Sequence, residues 1–300
     1  MSGHAEPAAE TAAADAAMEV ARTAARRAGV ELRMLSEPAE LAMVVDVVDE
    51  VWQAPPGHSL IPVEELRALA HAGNYVAAAV DESRLLGVAV GFFAAPVGTA
   101  LHSHMAGVVG SARGRGVGYA LKLHQRAWAL ERGLSEITWT FDPLVRRNAY
   151  VNLAKLGARP REYVVDFYGE IDDGLNAGQG SDRVVVAWDI TTSAGVQASA
   201  EPRAETDASM PTATWSDVVP ALTESESGNP EIAPGAAWSR ARTVLVQTPS
   251  DIEGLRRIDP ATAWSWRVAV RDILGELLAE GAAVTGFTRS GSYVVERNVS

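Results

Sequence analysis

Between an apolar run and a helical pattern the chain reads Val108-Val109-Gly110-Ser111-Ala112-Arg113-Gly114-Arg115-Gly116-Val117-Gly118-Tyr119-Ala120-Leu121. Glycines at 114, 116 and 118 admit positive φ and let the backbone approach a ligand with no Cβ in the way. A helix starting there offers unpaired N–H groups and the positive end of its dipole to an anion. Arg113 and Arg115 add formal charge. A diphosphate is the natural occupant of such a cradle. A P-loop would need Gly-Lys-Ser or Gly-Lys-Thr at its end, and no such residues occur here. A dinucleotide fingerprint fails as well: counted from Gly114 its last glycine falls on Tyr119, and the frames from Gly116 and Gly118 do not fit. The alternative is a glycine-rich turn with surface arginines and no ligand.

Other residues able to do chemistry flank this loop. His102 and His104 lie two apart on a strand and share a face, which leaves Ser103 and Met105 pointing the other way. Asp142, at a strand end before Pro143, fits two readings: it holds an ammonium or orients a histidine, or it caps the next turn. Arg146, Arg147, Lys155, Arg159 and Arg161 form a positive cluster, either a grip on phosphates or a carboxylate, or a solvated helix face.

The elements that must position these groups follow from periodicity. Ala16 to Arg27 reads as a helix closed by Gly29, after a frayed first dozen residues. Val30 to Leu35 is a strand. Ser36 N-caps a helix with Leu41, Val44, Val45, Val48, Val51 and Trp52 on one face, and a shorter helix runs from Pro62 to near Gly73. Tyr75 to Val80 and Leu85 to Phe93 form an antiparallel hairpin, and His102 to Val109 is the strand entering the loop. A helix over Val117 to Arg132, a strand over Glu136 to Phe141, a helix over Arg147 to Leu156 and strands over Tyr163 to Tyr168 and Arg183 to Ile190 complete a mixed α/β order. Residues 191–237 are rich in Ala, Ser, Thr, Pro and Glu and read as a flexible linker or insertion. A strand, a helix opening on Asp259-Pro260 and a last hairpin then form a C-terminal extension, residues 238–300, expected to pack on or extend the first sheet.

Composition bounds the function. With 47% hydrophobic and 21% charged residues in 300, the balance is globular. The net charge of -12 opposes non-specific nucleic-acid binding, so an anionic ligand needs a local positive site. The absence of cysteine excludes disulfides, thiolate nucleophiles and zinc ribbons, and no metal is expected. Without a basic start or a long apolar run, the chain reads as cytoplasmic, with no membrane partner.

Arg113-x-x-Gly116-x-Gly118 after an apolar strand resembles motif A of the GCN5-related N-acetyltransferase superfamily. The resemblance spans about Val30 to Gly169, with Ala149 and Lys155-Leu156-Gly157-Ala158 similar to a downstream stretch of the family, and His102 to Gly169 most resembles a little-described branch of acyltransferases. It implies an N-terminal extension (1–29) and a mixed, mostly antiparallel sheet flanked by helices in an acyltransferase domain (30–190). It also implies that Arg113, Gly114, Arg115, Gly116, Val117 and Gly118 hold the pyrophosphate of acetyl-CoA or another acyl-CoA. Backbone N–H of Val108 or Val109 would polarise the thioester oxygen. The attacking amine must lose a proton, and His104 is the preferred base, a pair of structural histidines being the alternative. Where many relatives carry the tyrosine that protonates the departing thiolate this chain has Leu153, and Arg146 falls on the usual asparagine; Tyr150 is the substitute nominated for the acid. The implied activity is acetyl or succinyl-type transfer to a small amine such as an amino acid. The alternative is an acyl-CoA-binding regulatory module without turnover. A homo-oligomer is compatible with either.

Overall fold

A computed structural model of the protein describes residues 5–169, 178–192 and 218–297. Its central feature is a seven-stranded sheet flanked by helices. Within it strand 31–34 with 75–81, 75–81 with 84–93, 84–93 with 100–108, and 159–164 with 183–189 pair antiparallel, and 100–108 with 136–141 pair in parallel. This is the mixed, mostly antiparallel α/β sheet expected from the sequence. Among the described residues no helix is long and apolar enough to cross a membrane. The described residues divide into two compact units, 5–139 with 189–192, and 140–169 with 178–188 and 218–297.

In the first unit β1 (Glu31–Met34), β2 (Tyr75–Asp81), β3 (Arg84–Phe93) and β4 (Ala100–Val108) form an antiparallel meander, and β5 (Glu136–Phe141) joins β4 in parallel. A parallel neighbour requires a crossover, and α4 (Val117–Glu131) supplies it. β2 and β3 are apolar almost throughout, since both their faces are covered. Helix α1 begins at Ala5, earlier than expected, and runs to Ala28. Its buried Ala14, Ala17, Ala21, Ala25 and Ala28 recur at three- and four-residue spacing, a stripe of small side chains that lets α1 lie closely along α4. In α2 (Pro38–Trp52) Leu41, Val44, Val45 and Val48 are buried as their spacing requires, but Ser36 is not its cap: Glu37 occupies that position and Pro38 opens the helix. α3 (Val63–His71) buries Leu66.

The second unit holds the paired strands β6 (Arg159–Val164) and β7 (Arg183–Asp189, whose last residue lies in the first unit). It also holds a five-stranded sheet ordered β11-β12-β10-β8-β9. Two expectations change here. β8 (Val218–Glu224) and β9 (Pro230–Ile232) fall inside the segment read as a linker. Ala221 and Leu222 are fully buried, and β8 pairs in parallel with β10 (Thr243–Gln247), a non-local contact that a Ser-, Pro- and Glu-rich composition conceals. Residues 193–217 of that segment lie outside the described residues. The C-terminal strands β11 (Ala283–Phe287) and β12 (Ser292–Glu296) build this second sheet instead of extending the first. The strand expected over Tyr163 to Tyr168 is β6, four residues earlier at its start.

One core pair of the first unit gives a pH dependence. Buried His124 on α4 meets the Tyr75 hydroxyl through Nδ1 at 2.8 Å. Burial raises the tyrosine's pKa, so it keeps its proton and donates, while burial lowers the histidine to about 4. The folded state thus favours neutral imidazole. The stabilisation is complete above the unfolded value of about 6.5 and is lost as pH falls toward 4, a change of about 3 kcal/mol. Urea unfolding at pH 7.5 and 4.5 should show this loss in the wild type and a smaller loss in His124→Gln.

Candidate active site

β4 and β5 pair over only three positions, Ala100 with Glu136, Leu101 with Ile137 and His102 with Thr138, and beyond them the two strands share no ladder. They form a fork whose apex is fastened by His102 Nδ1 and Thr138 Oγ1 at 3.2 Å. On its other edge β4 is paired to β3, but Val90 faces Met105 while Gly91 faces Ser103, so His104 is the extra residue of a β-bulge. Directly opposed residues share a face. Met105 therefore follows Val90 onto the face of His102 instead of that of Ser103, which corrects the simple alternation expected from the sequence. The His104 ring lies 5.8 Å from Phe92 and 6.4 Å from the His102 ring. Burial, then the charges of His104 and Lys122, lowers the pKa of His102; burial lowers that of His104, with Glu65 of α3 opposing. Both imidazoles are thereby neutral near pH 7.

β4 leads through Val109 into the glycine loop. The Val109 N–H bonds the Leu86 carbonyl at 3.0 Å, so it is not available to a ligand. Because alternate residues of an antiparallel strand bond the same neighbour, the Val108 N–H is turned to the fork side. Gly114 and Gly116 have φ of 80° and 89°, which an L side chain adopts only under strain, and the space above Gly110, Gly114 and Gly116 is open. Gly116 caps α4 without a side chain, so the first-turn N–H groups of a fifteen-residue helix face that space. Arg113 is exposed beside it. Arg115 is exposed too but committed elsewhere: its guanidinium donates to the Ala28 and Gly29 carbonyls at 3.0 and 3.3 Å and reaches Asp81 at 3.4 Å, satisfying the C-terminus of α1. Of the two loop arginines, the side chain of Arg113, and not that of Arg115, has no bonded partner among the described residues and borders the open space.

The second face of the fork carries residues that the sequence reading missed. Ser103 of β4 and Trp139 of β5 are the first residues past the last pair, and buried Lys122 of α4 reaches both: Nζ lies 2.8 Å from Ser103 Oγ and 4.0 Å from the centre of the Trp139 ring. The available signal was scarcity, for Lys122 and Lys155 are the two lysines among 26 basic residues.

The remaining nominations fall in the second unit. Both Asp142 oxygens are fully engaged: Arg267 binds bidentately at 2.8 Å on each, Arg256 donates to Oδ2 at 2.5 Å, and the Leu144 N–H donates to Oδ1 at 2.9 Å. Four donors fill the four acceptor positions of a carboxylate, leaving none for a substrate ammonium or a histidine. The turn-capping reading survives, joined to a buried clamp. Burial alone would raise its pKa, but Arg267 and then Arg256 outweigh it and hold the carboxyl far below the usual range. Arg146 is committed to the Thr248 carbonyl and hydroxyl, Arg147 to Glu253 and Arg159 to the Thr285 carbonyl. Tyr150 lines a cavity of about 480 Å³ with Arg146, Arg147, Ser250, Phe287 and Arg289. Leu153, where the sequence resemblance leads to the expectation of a tyrosine, is buried. No group of acidic or histidine residues able to hold a metal occurs among the described residues.

Among solved structures the chain is similar to acetyltransferases. An N-acetyltransferase from Staphylococcus aureus matches at 14% identity over 54% of this chain and 98% of that one, with a TM-score of 0.43. The ribosomal-protein-S18-alanine N-acetyltransferase from Escherichia coli matches at 12% over 59% and 99%, with a TM-score of 0.43. An aminoglycoside 6'-N-acetyltransferase complexed with coenzyme A matches at 16% over 54% and 98%, with a TM-score of 0.42. No family model and no curated protein matches the chain.

The Asp142 clamp has a measurable consequence. Asp142→Asn would leave two buried guanidiniums without their counter-charge, at a cost of about 3–5 kcal/mol. Denaturant unfolding should show a loss of that size, whereas a substrate-binding role alone would leave stability unchanged.

Proposed function

We propose that this protein is an acyl-CoA-dependent N-acyltransferase, transferring an acetyl or succinyl-type group to the amine of a small molecule such as an amino acid. One observation carries the reading: the anion cradle at the start of α4 is joined to the fork apex by a single strand of matching length. A pantetheine arm is about as long as four or five extended residues, roughly 15 Å. Laid along β4 from Val108, it brings the thioester to Ser103 and His104, where the strand bulges and β5 has parted from it. The first-turn N–H groups of α4 with Gly114, Gly116, Val117, Gly118 and Arg113 hold the pyrophosphate. The fork-facing N–H of Val108 then meets the arm instead of the thioester oxygen, which lies nearer the bulge.

At that point the amine attacks the thioester carbon, the C–N bond forms and the C–S bond breaks. An amine is protonated at neutral pH and must lose a proton first. His104, re-aimed by the bulge, neutral and in reach of solvent, is suited to take it. Asp142 has no part in this step, and Tyr150 is a liner of the second unit's cavity. The second reading, an acyl-CoA-binding module without turnover, draws on one fact: buried Leu153 stands where the family's leaving-group acid is expected. Release of free thiol from acetyl-CoA and succinyl-CoA across an amine panel separates the two.

Two variants test the site. Gly118 has no positive φ, and a Cβ there makes only ordinary contact with Val108 at 3.4 Å, so Gly118→Asp leaves the helix start intact while placing a carboxylate in the cradle. CoA affinity by calorimetry should fall by about 100-fold or more, and unchanged affinity in a folded variant would exclude the cradle. With an accepted amine, His104→Ala should lower turnover by roughly 10²–10⁴-fold with CoA affinity retained, the deficit shrinking as pH rises toward the amine's own pKa. His102→Ala is the matched control.

A further inference from the structure

Lys122 is an expensive residue for its position. It is 8% exposed and sits in the second turn of α4, against the sheet. No carboxylate lies within ion-pair reach among the described residues; its contacts are Ser103 Oγ at 2.8 Å, Gln125 Oε1 at 3.4 Å and the Trp139 ring. A methionine would fill the same volume without desolvating a charge. The buried amide of Gln125 beside it also keeps its Nε2 without an acceptor. Nearly every other cation in the chain is arginine, which cannot give up a proton in a protein, whereas lysine can.

Position turns this cost into a function. Ser103 and Trp139, the two residues that Nζ touches across the fork, are the first on each strand beyond the last pair, so the ammonium lies at the apex of the opening. Ser103 faces α4, while His102 and Thr138 bond on the opposite face and Glu65 of α3 acts on His104 there. The fork is therefore flanked by imidazoles on one side and a single ammonium on the other. The sheet keeps the two from exchanging a proton directly.

Resting on the acyl-CoA reading, we propose that Lys122 is the acid that protonates the departing CoA thiolate, in place of the tyrosine this chain lacks. As the tetrahedral intermediate collapses, the C–S electron pair goes to sulfur and sulfur takes a proton from the Lys122 ammonium, leaving a neutral amine. The nitrogen's proton goes to the histidine face, and exchange with solvent recharges the lysine and empties the histidine. The net reaction is amine plus thioester to amide plus thiol. Burial lowers the pKa of Lys122 to about 7, so that charged and neutral forms are both accessible near neutral pH. The lysine's charge is felt by His102 of β4, and the histidine of α4 itself, His124, is bonded to Tyr75 of β2.

The test needs no acceptor amine. The thiolate absorbance of CoA bound to the full chain is titrated in the wild type and in Lys122→Met. The ammonium should make bound CoA ionise at a pH at least one unit below free CoA, and the shift should vanish in the variant while affinity for CoA changes less than about threefold. Should the variant fail to fold, the wild type suffices: ¹⁵N-lysine labelling yields two side-chain signals, and the buried one should titrate at higher pH with CoA bound than with desulfo-CoA bound. CoA that binds with the same thiol ionisation in wild type and variant, or a lysine signal indifferent to the sulfur, overturns the assignment of Lys122. Failure of the wild type to bind CoA at all overturns the acyl-CoA reading instead.

Discussion

Everything in the first unit is arranged around a parallel pairing that stops after three residues. Once β4 and β5 are neighbours running the same way, a crossover is unavoidable, and α4 becomes the helix that starts where β4 ends. Its N-terminus meets the glycine loop and its second turn lies beneath the fork. The His104 bulge adds local twist to β4, and the small residues of α1 allow a second helix to close over α4. Gly107 serves the same geometry from the opposite face, for a Cβ there would lie 2.7 Å from the Trp52 ring of α2. The anion cradle and the opening are thus two ends of one strand.

What was legible in the sequence is what local chemistry encodes. Gly114 and Gly116 announce a backbone conformation that only glycine adopts freely, and the alternation into β4 and the 3.6-residue period out of it mark the strand and helix on either side. The fork itself was not legible, since it depends on where β5 stops pairing. The bulge was not either, because it is a register between β3 and β4 and leaves no mark on composition. Asp142 was misjudged for a related reason: its two arginines follow 114 and 125 residues later, and an isolated aspartate before proline gives no hint of them. Arg115 shows the converse error. Charge inside a glycine loop suggests a ligand, yet the carbonyls ending α1 take this guanidinium.

The second unit is held by ion pairs of a different kind. Buried Asp142 binds Arg267 bidentately and accepts a further bond from Arg256, and buried Asp182 binds the half-buried Arg271 bidentately and accepts from the Tyr163 hydroxyl. Such pairs contribute little net stability over apolar packing but penalise any arrangement that separates them. They select one packing of the helix Pro260–Val270 against the strand-end loop, which an apolar interface of interchangeable leucines would not do. The sheet of β8 to β12 gives this unit a core of its own, with Trp266, Phe287 and Tyr293 fully buried.

On the proposed acyl-CoA reading, the run from Ser103 to Val108 acts as a ruler. A strand advances about 3.3 Å per residue and reverses its faces at every step, a count broken in this run only at the His104 bulge. Lengthening this segment by one residue would move the cradle by about 3.3 Å and turn every following side chain to the wrong face. Two residues would restore the faces but add about 7 Å, too long for the same arm. The distance between cradle and apex is therefore quantised, and the natural increments all overshoot. Under that reading a new acyl specificity comes most directly from exchanging side chains at the apex, since a change in strand length must be absorbed by a bulge such as that at His104.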